Sequence, residues 1–160
     1  MDLLIVRHSL ASSRAARDED RPLTEEGLRR ALEVAWAVGR LGFRGARILH
    51  SPLLRALETA TVFEAELGAT RVACDRLALE PGDRLLEELA GDRVIAVGHQ
   101  PWVSELCAWL VHGDRSQWGA VRFEPCAAAW LQGQQVAPGR MWLSGFIPPA
   151  VCALGGAERG

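Results

Sequence analysis

The chain contains no lysine: all 18 of its basic residues are arginines. Any anion it holds through a cationic side chain must therefore be held by a planar, multi-donor guanidinium, not by an ammonium point charge. A basic excess is also missing. The formal net charge is −2 at pH 7, which argues against the positive footprint of a nucleic-acid binder. Long apolar runs are absent too. The first, Leu3 to Val6, follows Asp2 and leads into no cleavage-like pattern, so neither a secretory signal nor the ~20-residue span of a bilayer is expected. The cysteines Cys74, Cys107, Cys126 and Cys152 are scattered and form no C-x-x-C pair. That excludes a zinc or redox motif and points to reduced, mostly buried thiols in a cytoplasmic protein. No repeat, low-complexity run or linker divides the 160 residues. A single domain over 1–160 is expected, with the tail fraying after about residue 150.

What is there alternates between strands and helices over the first two-thirds. "LLIV" reads as a buried parallel strand, "ARILHS", "TRVAC" and "DRVIAVGHQP" as three more. Thr24 can cap a helix that carries Glu25 and Glu26 in its first turn, with Leu28, Ala31, Leu32, Ala35 and Val38 at helical spacing. Ser51 as cap and Pro52 as first helical residue open a second helix that ends near Gly68. "PGDRLLEEL" is a short helix, and Pro101 opens another. Beyond Gly119, "AVRFEP" and "AAAWLQG" suggest a hairpin around Pro125, with "GRMWLSGFIPP" as a further strand. The expected fold is α/β: a three-layer α/β/α sandwich with a mainly parallel central sheet.

In open α/β sheets ligands bind beyond the carboxyl ends of the strands. Three such ends carry chemistry here. Arg7 and His8 follow the first strand, Arg55 lies about a turn into the helix after the second, and His99 follows "RVIAV". Arginines near a helix start suit a phosphoryl group. A histidine can act as its nucleophile, with the cations stabilising charge as it transfers.

At these residues the sequence resembles the histidine phosphatase superfamily, the phosphoglycerate mutase-like fold. "LLIVRHS" resembles its Arg-His motif, "DRPLTEEGLRRA" its first helix, "ILHSPLLRALETA" its Ser-Pro-x-x-Arg-Ala-x-x-Thr segment, and "VIAVGHQPWVSEL" its Gly-His-x-Pro segment. The short length and "RPLT" look most like the SixA-type phosphohistidine phosphatases, which lack an inserted helical cap. The resemblance implies that His8 accepts the phosphoryl group, that Arg7, Arg55 and His99 complete the pocket, and that the Gln100 backbone N–H contributes. It implies no metal and no organic cofactor. The expected partner is a phosphorylated protein carrying phosphohistidine, with a small phosphorylated substrate as the alternative, no nucleic acid and no membrane. A monomer is expected.

The sequence departs from the family in two places. Ser9 stands where glycine is usual. Its backbone angles could be ordinary, its hydroxyl could bind phosphate, or it could crowd the site and leave a phosphoprotein-binding module without turnover. The general acid is also weakly marked. Glu80 and Asp83, on an expected loop, are the better candidates. Glu87 and Glu88 resemble a solvated helix face, and the run Asp18, Glu19, Asp20 is another source. A phosphoramidate leaving group can be protonated beforehand, so a poorly marked acid fits phosphohistidine better than an ester.

Overall fold

The computed structural model describes residues 1–153. One six-stranded sheet organises them, in the order β3-β2-β4-β1-β5-β6. Strands β1 (Asp2–Arg7), β2 (Arg47–His50), β3 (Thr70–Ala73) and β4 (Arg93–Gly98) run parallel, while β5 (Ala128–Gly133) and β6 (Met141–Ile147) add an antiparallel hairpin at one edge. The centre, β1 and β4, is apolar on both faces because helices cover both. Leu4, Val6, Ile95 and Val97 pack with α1 (Glu25–Val38), α2 (Leu54–Leu67) and α5 (Pro149–Ala153). Leu3, Ile5, Val94 and Ala96 pack with α3 (Asp83–Glu88) and α4 (Trp102–His112). The fold is the expected α/β type, and no large helical insertion stands over it among the described residues.

Thr24 does cap α1, accepting the Gly27 N–H at 3.0 Å. The apolar face of α1 is displaced from the expected one, however. Gly27, Ala31, Val34, Ala35 and Val38 are buried, whereas Leu28 and Leu32 are 45% and 41% exposed. The helix presents small residues to the sheet because its first turn lies hard against the chain after β1. A Cβ on Gly27 would stand 2.1 Å from the Leu10 carbonyl oxygen.

Three further expectations are corrected. Helix α2 begins at Leu54, after an extended Leu53, and not at Pro52. The hydroxyl of Ser51 meets His99 and the Leu53 N–H instead of capping the helix. "AVRFEP" is not a strand; the hairpin is made by β5 and β6, and residues 121–123 offer carbonyls to Ser104 and Arg7. Pro149–Ala153 form α5 with Cys152 buried, and the rest of the tail expected to fray lies outside the described residues. All four cysteines are free and buried. No helix among the described residues is long and apolar enough to cross a membrane.

Gly27→Ala is expected to lower stability by roughly 1–3 kcal/mol in a urea titration, since a methyl group has no room there. Gly119→Ala, with open space around it, is the matched control and should change little.

Candidate active site

Parallel pairing puts the special residues side by side. The His8 N–H donates to the Gly98 carbonyl at 2.9 Å, one step beyond the register pair Arg7 and Gly98. His99 follows directly, and the two imidazole rings lie 5.0 Å apart between centroids. On the other side of β4, Ser51 leaves β2 with its N–H on the Val97 carbonyl at 3.0 Å. Helix α2 then brings Arg55, 7% exposed, to the same place.

The nitrogen of His8 that faces the site follows from its surroundings. Nδ1 stands 2.7 Å from the Ser9 carbonyl oxygen. A carbonyl can only accept, so Nδ1 carries the proton and Nε2 keeps its lone pair. Burial holds the ring neutral, pulling its pKa down to about 4, with Arg55, Arg7 and Arg21 adding repulsion. His99 is pulled down to about 3, first by burial, then by its neighbour His8 and by the positive charge of Arg55. Both are neutral imidazoles at neutral pH.

The arginines are anchored by carbonyls. Arg7 Nη1 donates to the Phe123 oxygen at 2.8 Å. Arg55 Nη1 donates to the Asp18 carbonyl at 2.7 Å, and its Nη2 to the Asp18 carboxylate at 3.0 Å. Each guanidinium keeps its Nε buried and without a partner, and so does Nδ1 of His99. Buried polar nitrogens with no acceptor are uncommon in folded proteins. All three are donors or potential donors on residues next to His8, and such groups suit an oxyanion.

The remaining sequence candidates divide clearly. Ser9 is fully buried, but its hydroxyl donates to the Gly27 carbonyl at 2.7 Å, so it is engaged away from a phosphate. Its N–H donates to Thr59 Oγ1 at 3.0 Å, and that hydroxyl donates to the Arg55 carbonyl at 2.7 Å. Thr59 thus ties the His8 loop to the Arg55 helix. Gln100 follows His99, and its side-chain amide lies 2.9 Å from Ser104 Oγ. The Glu80 carboxylate pairs with Arg115 at 2.8 Å on an exposed surface. Asp83 opens α3, and Glu88 is held by Cys74 and Arg76. Glu58 accepts the Leu23 N–H at 2.6 Å and so fixes the "RPLT" segment against α2.

Of the acidic run, only Asp18 reaches Arg55. Hydrogen bonds from Arg21 and Arg55 lower its pKa, so it is ionised and cannot donate a proton at neutral pH. It acts on the site by holding Arg55. Sequence reading passed over this contact, as it did Thr59 and the carbonyl of Phe123. The Ser-Pro-x-x-Arg-Ala-x-x-Thr spacing was the available signal for Thr59, one helical turn after Arg55.

Comparison with known proteins agrees with this geometry. The family model of the histidine phosphatase superfamily (branch 1) matches residues 3–78. A curated relative, an uncharacterized protein of Picosynechococcus sp. (strain ATCC 27264 / PCC 7002 / PR-6), is 40% identical over 126 residues, covering 71% of this chain and 75% of its own. Among solved structures, the protein histidine phosphatase SixA complexed with tungstate superposes with a TM-score of 0.79 at 25% identity, over 94% of this chain and 99% of that one. A mycobacterial glucosyl-3-phosphoglycerate phosphatase in complex with VO3 has a TM-score of 0.72 at 20% identity, over 92% and 99% respectively, and shares the fold.

The two depressed histidines give a pH signature. Unfolded, each titrates near 6.5; folded, near 4 and 3. Between those values the unfolded chain binds more protons, so stability falls as pH drops below about 6.5. Urea titrations from pH 7 to 4 should show this decline, and it should shrink in His8→Asn and His99→Asn.

Proposed function

The chain belongs to the histidine phosphatase superfamily, and on that premise we propose that this phosphatase hydrolyses protein phosphohistidine through a covalent intermediate on His8. The observation that carries the reading is the trio of unpartnered buried nitrogens, Arg7 Nε, Arg55 Nε and His99 Nδ1, beside a histidine whose lone pair is left on Nε2. His8 Nε2 attacks phosphorus, a new N–P bond forms, and the P–N bond of the substrate breaks. The leaving imidazole departs with a proton already acquired from solvent. Water then attacks the phosphorus on His8, releasing inorganic phosphate and restoring Nε2. In both steps Arg7, Arg55 and His99 stabilise charge on the equatorial oxygens.

Two observations favour a phosphoramidate over an ester. Among the described residues, the two carboxylates best placed in the sequence to serve as acid are engaged by arginines: Asp18 is ionised on Arg55 and Glu80 is paired with Arg115. Among the described residues no large helical insertion covers the strand ends, so a side chain displayed by another protein can approach. The alternative substrate, a small phosphomonoester, has the fold shared with the mycobacterial glucosyl-3-phosphoglycerate phosphatase in its favour. A silent phosphoprotein-binding module has less support. Ser9 was its basis, and Ser9 has an ordinary negative or extended φ, since Cys126 is the one non-glycine residue with positive φ among those described. Free buried thiols fit a reducing cytoplasm.

The test is phosphate release from a histidine-phosphorylated protein domain and from an aryl phosphate. The expected result is release from the first, little from the second, and none from His8→Ala. Arg7→Ala should lower turnover by about 10²–10³-fold. Full activity in His8→Ala, or equal rates on the ester, would reject the proposal.

A further inference from the structure

We propose that Ser51 is a positioning residue that fixes the tautomer of His99, so that this imidazole turns an N–H, through Nδ1, toward the anion site. The functional consequence rests on the phosphatase reading above; the tautomer itself does not.

The argument is an accounting of protons. Ser51 Oγ lies 2.7 Å from His99 Nε2. The same oxygen lies 3.3 Å from the Leu53 nitrogen. An amide N–H can only donate, so one lone pair of Oγ is taken by Leu53. The hydroxyl proton then needs an acceptor. Ser51 is fully buried, and among the described residues its hydroxyl meets those two groups. Nε2 is the acceptor that remains, which makes it the unprotonated nitrogen. A neutral imidazole with a bare Nε2 carries its proton on Nδ1, the nitrogen that is buried without a protein partner.

The opposite tautomer is doubly unfavourable. It would leave the Ser51 proton without an acceptor in a buried place. It would also aim a lone pair at the incoming oxyanion. Nor is His99 placed to become an imidazolium, because a proton on Nε2 would force the serine hydroxyl to turn away from its one acceptor. The burial and the positive neighbours that depress its basicity act in the same sense.

The two histidines therefore both carry their proton on Nδ1, for different reasons and with opposite results. In His8, Nδ1 is tied back to the Ser9 carbonyl and the bare nitrogen faces the site. In His99, Ser51 ties back the bare nitrogen and the N–H faces the site. One ring supplies the electron pair, the other a fixed hydrogen-bond donor. The position of Ser51 follows from the sheet: β2 lies beside β4, and the last residue of β2, His50, is paired with Val97. Ser51 is thereby set next to the end of β4.

The experiment is a two-bond 1H–15N correlation spectrum of the full chain, 15N-labelled in its histidines, at pH 7. The expected wild-type pattern for His99 is protonated Nδ1 and bare Nε2, with the same pattern for His8. In Ser51→Ala the His99 population should move toward Nε2–H while His8, an internal control for folding, keeps its pattern. Affinity for inorganic phosphate should fall roughly 10–100-fold, and Ser51→Thr should restore both readouts. A wild-type His99 protonated on Nε2, or a His99 pattern unchanged in Ser51→Ala, overturns the proposal. Should Ser51→Ala fail to fold, the wild-type and Ser51→Thr spectra decide it. Phosphatase assays fail or succeed separately: a chain inactive on every phosphate but with Nδ1–H on His99 removes the functional reading and leaves the Ser51 assignment standing.

Discussion

The site depends on the parallel pairing of β1 with β4. Register alone places Arg7 opposite Gly98, and the His8 N–H then closes on the Gly98 carbonyl. Gly98 sits there in close quarters. A Cβ there would stand 3.1 Å from Val103 Cγ1 and 3.3 Å from the Leu77 oxygen. With the two strand ends locked, cationic and imidazole groups are held close together in a partly desolvated place. The cost of that concentration is met by main-chain carbonyls, from Phe123 for Arg7 and from Asp18 for Arg55, which leave part of each guanidinium unengaged.

Much of this was legible in the sequence, for identifiable reasons. Buried parallel strands announce themselves as apolar runs, and polar residues at their carboxyl ends stand out against them; Arg7, His8 and His99 were visible this way. Arg55 was visible because helix starts and anions go together. Other features were hidden because they depend on how the chain folds back. Helical spacing offered Leu28 and Leu32 as core residues, but tight contact at Gly27 rotates α1 so that its alanines face inward. "AVRFEP" looked like a strand, yet its carbonyls serve Arg7 and Ser104. Asp18 looked like part of a solvated acidic run, and nothing local distinguishes it from Glu19 and Asp20. Its meeting with Arg55 is a contact across 37 positions.

The serine that replaces the family's glycine illustrates how a departure from a motif is absorbed. Its backbone N–H goes to Thr59 and its hydroxyl to Gly27. The side chain points from the active loop into the first turn of α1, adding a hydrogen bond between strand and helix where glycine would leave none. The same glycine of α1 that rejects a Cβ accepts this hydroxyl on its carbonyl. The substitution thus strengthens the scaffold behind the nucleophile without entering the space in front of it.

Behind the nucleophile also lies Cys126, the side-chain-bearing residue at φ 69°. Its N–H meets the carbonyls of both Arg7 and His8 at 3.1 Å, and its thiol is sealed from solvent, with burial pushing its pKa up to about 12. A left-handed cysteine costs on the order of 1–2 kcal/mol relative to a residue without a Cβ. The two residues that would handle a phosphoryl group are therefore braced by a turn under tension. Small adjustments of that turn act through peptide planes and not through side chains, so they would reach the chemistry as a change in aim, with every functional group still present.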